Sequence, residues 1–476
     1  MKRSLVFGIV IAVVASACTH AGPGVEAASR RDTSPRPGAR GGAPRWVRAA
    51  GSNLRDEAGA PVHLSGLVSS NEVWGRYVWP ISDEKAKRGD DPMIRDTVQP
   101  SWVLTDDDFA RLGGLPGNVV RYEITHELFA DDNPERLENL RKLVGHVERF
   151  AKIGLGVIVD LNLPIGLDGQ SDNAERKKPG AVRERTLFED DGFFAATVRL
   201  WTFLARQLAS EPTLVAYELY NEPRAPSEAD GGIARFQRRS EELAKAIRAV
   251  DPRHLVLVPE YNSREANPGE SYPDPQGGNA KLIDHGEQGV RWDHGLVKVD
   301  VDNVGYVFHM YDPWAFVAEG ARDFSRSEVE AHFLDRVRWR DQIGRAPLVV
   351  TEYGINQRQP LAMRVAWLSF VHGLLRAHDI GATYFNYKTA VSPWAKPDDQ
   401  MALYGQFVSK NETGDESGGG AGKRYTLHPE AARAAAESGF DKLLTKWFDE
   451  LDPSAASLMG NDDIVAELRR FAQGRF

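Results

Sequence analysis

Cysteine is nearly missing from this chain: Cys18 is the only one in 476 residues, so no intramolecular disulfide can form. No long basic stripe is present either, and a net charge of -9 argues against a nucleic-acid surface. His126, His254, His285 and His294 show no metal-ligand spacing, so neither a metal site nor a cofactor is read from the sequence. The apolar stretch at residues 5–14 is too short to span a bilayer comfortably. What is there belongs to a globular protein: 42% hydrophobic and 27% charged residues, enough chain for a large core, and eleven Trp. A mildly acidic, Trp-rich chain suits a neutral polymer whose rings stack on aromatic faces, although tryptophan is also ordinary core material.

The N-terminus is laid out as a targeting segment. Met1-Lys2-Arg3 supplies positive charge, residues 5–14 supply the apolar run, and Ala15-Ser16-Ala17-Cys18 follows at the cleavage-like position. That tetrapeptide resembles a bacterial lipobox, with Ala15 standing where Leu is most common. The resemblance implies acylation at Cys18 and an envelope protein anchored outside the cytoplasm without a spanning helix. The alternative is a secreted protein with an incidental cysteine. Residues 19–45 are rich in Ala, Gly, Pro, Ser and Arg and read as a flexible tether. The expected layout is a signal peptide over 1–18, a tether over 19–45 and a catalytic domain over 46–476, with a mobile Gly-rich loop at 408–425.

From Trp46 onward, strand-like and helix-like segments alternate. A hairpin is expected over 47–61. Eight buried strands are expected at 62–67, 118–123, 156–162, 214–220, 254–260, 304–309, 347–351 and 382–387. Helical periodicity falls between most of them, at 106–112, 133–152, 193–208, 235–250 and 364–378, the second with Leu137, Leu140, Leu143, Val144, Val147 and Phe150 near one face. Helices at 429–451 and 462–471 complete the outside. Eight βα steps predict an α/β fold, a (β/α)8 TIM barrel with a short N-terminal hairpin and a C-terminal helical extension. Active sites of that fold gather at the C-terminal ends of the strands.

Two glutamates lie at such ends. Glu222 follows the run Val-Ala-Tyr-Glu-Leu-Tyr-Asn, and Glu352 follows Leu-Val-Val-Thr. Two carboxyls at one mouth of a barrel are what glycoside hydrolysis needs: an acid, and a nucleophile or base.

Asn221-Glu222-Pro223 after the fourth strand, with Glu352 after the seventh, resembles glycoside hydrolase family 5, the cellulase family. Arg121 on the second strand and His309-Met310-Tyr311 after the sixth fit the same pattern, which spans the chain from about Trp46 to Trp394. The resemblance implies that Glu222 is the acid/base and Glu352 the nucleophile. It also implies that Arg121 keeps Glu352 ionised and that Tyr311 donates to it. Asn221 would contact the sugar 2-hydroxyl, and His309 would bond substrate or orient Glu222. Arg121 could equally be partner to a buried acid such as Glu218; a catalytic glutamate is itself a buried acid, so the two readings merge.

Two segments depart from the family pattern. Asp160-Leu161-Asn162 stands where many members have Asp-x-His, so Asn162 can bond a hydroxyl but cannot titrate. After the eighth strand, Tyr384-Phe385-Asn386-Tyr387-Lys388-Thr389 resembles the Phe-Trp-Asn-Trp-Lys-Thr-Glu segment of the family's exo-1,3-glucanases, with both Trp replaced. Phe385 is then the candidate sugar platform, or else barrel filling, and Trp394 a rim candidate. The expected activity is a retaining β-glycosidase on a β-linked glucan, mannan or related oligo- or polysaccharide. Another retaining TIM-barrel family, or a surface glycan-binding lipoprotein without turnover, is the alternative.

Overall fold

A computed structural model describes residues 42–69, 104, 106–165, 187–223, 231–261, 283–284, 291–292, 294–317, 321–391, 401, 403–407, 457–458 and 461–474. Cys18, the tether as far as residue 41, Trp394, the loop at 408–425 and the helix expected at 429–451 lie outside the described residues.

Three short antiparallel strands come first: β1 (Arg48–Ala50), β2 (Asn53–Arg55) and β3 (Pro61–Val62). The expected hairpin is therefore a three-stranded sheet. The expected first barrel strand splits with it, because Pro61 and Val62 pair with β2. The barrel begins instead at β4 (Ser65–Ser69), with His63 and Leu64 carrying the chain between the two sheets.

Seven more strands follow. They are β5 (Val119–Thr125), β6 (Gly156–Leu163), β7 (Leu214–Glu218) and β8 (Leu255–Pro259), then, after a small hairpin of β9 (Ile283–Asp284) and β10 (Arg291–Trp292), β11 (Val304–Met310), β12 (Leu348–Tyr353) and β13 (Gly381–Tyr384). Every neighbouring pair is parallel, and the order β4-β5-β6-β7-β8-β11-β12-β13 closes on itself. This is the expected TIM barrel. One close approach fixes a glycine in it: a Cβ on Gly66 would lie 1.8 Å from the Val119 carbonyl oxygen, so only glycine fits where β4 meets β5.

Strand alternation divides the core into two layers. Outward residues such as Val120, Tyr122, Val157, Val159 and Tyr217 pack with the helices in the larger cluster. Inward residues Val119, Ile158, Ala216, Leu255, Leu257, Val307 and Val349 form a second cluster with Val47 and Leu54. The N-terminal sheet thus stoppers the bottom of the barrel with apolar side chains.

The helices start where their caps put them. Asp190 accepts from the backbone N–H groups of Gly192 and Phe193 and opens the helix Asp191–Leu208 two residues before its periodicity suggests. Leu137 departs from expectation: it is 62% exposed, in the first turn of the helix Arg136–Lys152. The buried stripe of that helix begins at Asn139, whose Nδ2 donates to the Leu128 carbonyl at 2.9 Å.

Beyond β13 the chain leaves the barrel earlier than expected. β14 (Lys388–Val391) pairs in parallel with β15 (Tyr404–Phe407), and β16 (Ser457–Leu458) pairs antiparallel with β15. The final helix, Asp462–Gln473, packs on the helix Leu361–Ala377 as an outer layer. His372 and Phe471 stack there at 4.4 Å, and the His372 imidazole meets Glu467 at 3.0 Å.

Candidate active site

The run Val-Val-Arg-Tyr-Glu-Ile-Thr of β5 alternates, so Val119, Arg121 and Glu123 all face into the barrel, each nearer the C-terminal mouth than the last. Arg121 is fully buried. Its Nε and Nη2 hold both oxygens of Glu218, at 2.9 and 3.0 Å, a fork matched to a carboxylate. Nη2 also donates to Asn221 Oδ1 at 2.8 Å and lies 3.0 Å from Asp160 Oδ2. Nη1 donates to Glu352 Oε1 at 2.7 Å and to Glu123 Oε1 at 3.2 Å.

One guanidinium therefore faces four acids. Burial alone would lower its pKa, but the charges of Asp160, Glu218 and Glu352 raise it well above the ordinary value, so it stays charged. The acids cannot all be ionised beside it. Burial pushes Glu123 up to about 8, against the pull of Arg121 and with the push of Glu352 and Glu218. Burial likewise lifts Asp160 well above the usual range.

Glu352 is held through both oxygens. Oε1 takes Arg121, and Oε2 accepts from the Tyr311 hydroxyl at 2.8 Å. Burial, then the charges of Glu352 and Glu222, push the Tyr311 phenol well above its ordinary pKa, so it remains a donor. Strand irregularity makes this arrangement possible. Thr351 Oγ1 bonds Glu218 Oε1 at 3.0 Å, while the next residue, Glu352, also reaches the interior. Consecutive residues of a regular strand face opposite ways. The pairing of β12 with β13 shifts register between Val350 and Tyr353, and that with β11 shifts at Phe308/His309.

Glu222 sits at the mouth, its side chain 32% exposed, on a backbone with φ of 40°. A non-glycine residue in that region is strained, and such strain persists where surrounding contacts fix it. His309 supplies one contact: its Nδ1 lies 2.7 Å from Glu222 Oε1 and 3.5 Å from Glu352 Oε2. Burial opposes protonation of this imidazole, but Glu352 and the hydrogen bond to Glu222 outweigh it and raise its pKa. Ligand-type atoms of Glu222, His309 and Glu352 all lie within 4.8 Å of one another. A cation could fit among three such atoms, yet the hydrogen bonds that join them already account for the convergence.

Six residues singled out from the sequence thus meet in one network: Arg121, Asn221, Glu222, His309, Tyr311 and Glu352. Asn162 joins it through an acid, its Nδ2 donating to Glu123 Oε1 at 3.1 Å. Phe385 stands half-buried just after β13, packed against the larger core, with a cis peptide bond to Asn386. Sequence reasoning passed over Glu123, Asp160 as a barrel-interior acid, and Thr351. The first two carried a readable signal, polar residues at inward positions of strands otherwise apolar. It also passed over Trp314, 40% exposed and edge-on to the Tyr311 ring at 6.2 Å.

Known proteins resemble this chain in sequence and in fold. The family model described as Cellulase (glycosyl hydrolase family 5) matches residues 104–391, more than half of the chain. Endoglucanase C of Acetivibrio thermocellus is 22% identical over 327 residues, covering 60% of this chain and 84% of that protein. Putative mannan endo-1,4-beta-mannosidase 9 of Oryza sativa subsp. japonica is 22% identical over 395 residues, covering 78% of this chain and 83% of that protein. Endo-glycoceramidase II from Rhodococcus sp., solved with a five-membered iminocyclitol, shares the fold with a TM-score of 0.52 at 18% identity, over 74% of this chain and 79% of that one. The chain belongs to glycosyl hydrolase family 5 and is a glycoside hydrolase.

Proposed function

We propose that the protein is a retaining β-glycosidase that cleaves a β-linked glucan, mannan or related glycan in two displacements. The spacing of the two glutamates carries this reading. An oxygen of Glu222 and one of Glu352 come within 4.8 Å of each other, an approach that suits the roughly 5–5.5 Å carboxyl separation of retaining enzymes.

In the first displacement a Glu352 oxygen bonds the anomeric carbon while the glycosidic C–O bond breaks and its electron pair leaves with the departing oxygen. Glu222 gives its proton to that oxygen. Arg121 and Tyr311 hold Glu352 from both sides, so attack needs little reorientation. In the second displacement Glu222, now ionised, takes a proton from water, the water oxygen bonds the anomeric carbon, and Glu352 departs as carboxylate. His309 orients Glu222 and aids return of its proton. Asn221 has Oδ1 fixed by Arg121, and its Nδ2 makes no hydrogen bond among the described residues, which suits a donor to the sugar 2-hydroxyl. Phe385 and Trp394 are proposed as aromatic contacts to the sugar.

A panel of 2,4-dinitrophenyl β-glycosides identifies the sugar, and proton nuclear magnetic resonance of the first-formed product gives the stereochemistry. A β-hemiacetal is expected; an α-product would overturn retention. The protein is further proposed to be anchored to the bacterial envelope through acylated Cys18. Mass spectrometry of the mature protein should find an acylated Cys18 at its N-terminus, and an unmodified N-terminus beyond it would favour secretion.

A further inference from the structure

Glu123 and Asn162 form the inward layer of β5 and β6 directly above Arg121 and Asp160 by strand alternation. Glu123 Oε1 is fixed twice, by Arg121 Nη1 at 3.2 Å and by Asn162 Nδ2 at 3.1 Å. The same Nη1 holds Glu352 Oε1, so one guanidinium nitrogen joins Glu123 to the proposed nucleophile. The Glu123 side chain keeps 7% exposure, the same as that of Glu352. Its second oxygen, Oε2, makes no hydrogen bond among the described residues.

A carboxyl placed this way does more than hold Arg121, which Glu218 already grips with two oxygens. Resting on the retaining-glycosidase reading, we propose that Glu123 is a sugar-binding residue: with Oε1 fixed, its Oε2 takes a hydroxyl of the ring held over Glu352 and selects for that hydroxyl. Asn221, after β7, stands beside Glu222 and serves the 2-hydroxyl next to the anomeric carbon. Glu123 and Asn162 lie on the next two strands around the barrel, which makes the hydroxyls further round the ring, at C3 and C4, the candidates for this contact.

The electrostatics suit such a contact. The charged and titratable groups facing Glu123 are Arg121 on its own strand, Asp160 on β6, Glu218 on β7, His309 on β11 and Glu352 on β12. With its pKa near 8, Glu123 carries a proton at neutral pH and can both donate to and accept from a sugar hydroxyl. On ionisation it would compete with Glu352 for Arg121 Nη1.

The test is a cycle between variant and substrate. Wild type, Glu123→Ala and Glu123→Gln are assayed on the best 2,4-dinitrophenyl β-glycoside of the panel and on its 3-deoxy and 4-deoxy analogues. In wild type, removing the contacted hydroxyl should lower kcat/KM by about tenfold or more. Glu123→Ala should lose a similar factor on the parent substrate and nothing further on that deoxy analogue. Glu123→Gln keeps the size and a carbonyl oxygen for Arg121 and Asn162. It guards against misfolding, should lose less, and should lack the alkaline fall in kcat/KM that follows ionisation of Glu123. Equal losses on the parent and both analogues would overturn the proposal and leave Glu123 a scaffold for Arg121. No turnover of any probe by wild type would instead overturn the reading beneath it, and this proposal with it.

Discussion

The two ends of the same barrel are built from opposite materials. At the bottom, Val119, Ile158, Ala216, Leu257, Val307 and Val349 fill the interior with hydrocarbon, sealed by Val47 and Leu54. One step further along several of the same strands, the inward positions are Arg121, Asp160, Glu218 and His309, and every one is buried. Apolar side chains gain from burial, whereas each buried charge costs desolvation that only a well-placed partner offsets. The lower half is thus the part that stabilises, and the upper half is the part the rest holds in place. That division matches a fold whose strands carry chemistry at their C-terminal ends and packing below.

Removing the guanidinium at the centre of the upper half, Arg121, should have the largest effect. Arg121→Met leaves Glu218, Glu352 and Asp160 without their cation. Loss of one partner from a buried pair costs about 3–5 kcal/mol. Chemical denaturation should show a destabilisation of that order, with activity abolished at temperatures where the variant is still folded. The matching change below is Leu257→Ala, a cavity in the apolar cluster worth about 2–5 kcal/mol. It should lower the denaturation midpoint while leaving kcat of the folded enzyme close to wild type. If Leu257→Ala instead reduced kcat as severely as Arg121→Met, the two halves would not be separable.

A smaller effect is readable in pH. The Glu123 carboxyl, ordinarily near 4.5, is raised to about 8 in the folded protein. The folded state therefore binds that proton more tightly than the unfolded one. This contribution is fully present below about 4.5 and is lost as pH rises through 8. Glu123→Gln cannot ionise, so its melting temperature relative to wild type should rise from about pH 5 to about pH 8 and level off above that. A gap that stays constant over that range would remove Glu123 from the set of protonated acids.

Much of this division can be read from the chain. Val119, Arg121 and Glu123 stand at alternate positions, as do Ile158, Asp160 and Asn162, so each strand reads apolar below and polar above. Glu222 and Glu352 declare themselves by ending buried runs, and the structure brings both to one imidazole, 2.7 and 3.5 Å from His309 Nδ1. What escapes sequence reading depends on geometry that no local pattern encodes. The shifted register of β12 turns both Thr351 and Glu352 inward, where alternation allows only one. The strained φ at Glu222 is set by contacts from a distant strand. Val62 looks like barrel strand but pairs with β2, because pairing partners, not propensity, decide which sheet a short strand joins. Leu137 has the right spacing for its helix's apolar stripe, yet it stays exposed while Arg136 beside it lies over the Phe203 ring.

The central claim is the division of labour between the two glutamates, and azide rescue tests it most directly. An activated aryl β-glycoside needs little protonation, so Glu222→Ala should still form the glycosyl-enzyme. Azide, which needs no general base, should then release the retained β-glycosyl azide. Glu352→Ala should lose activity by a factor on the order of 10⁴–10⁶, and azide entering the vacated space should give the inverted α-glycosyl azide. Nuclear magnetic resonance of the isolated azides distinguishes the anomers. The β-azide from Glu222→Ala and the α-azide from Glu352→Ala are the predicted results, and the opposite pairing would contradict the assignment.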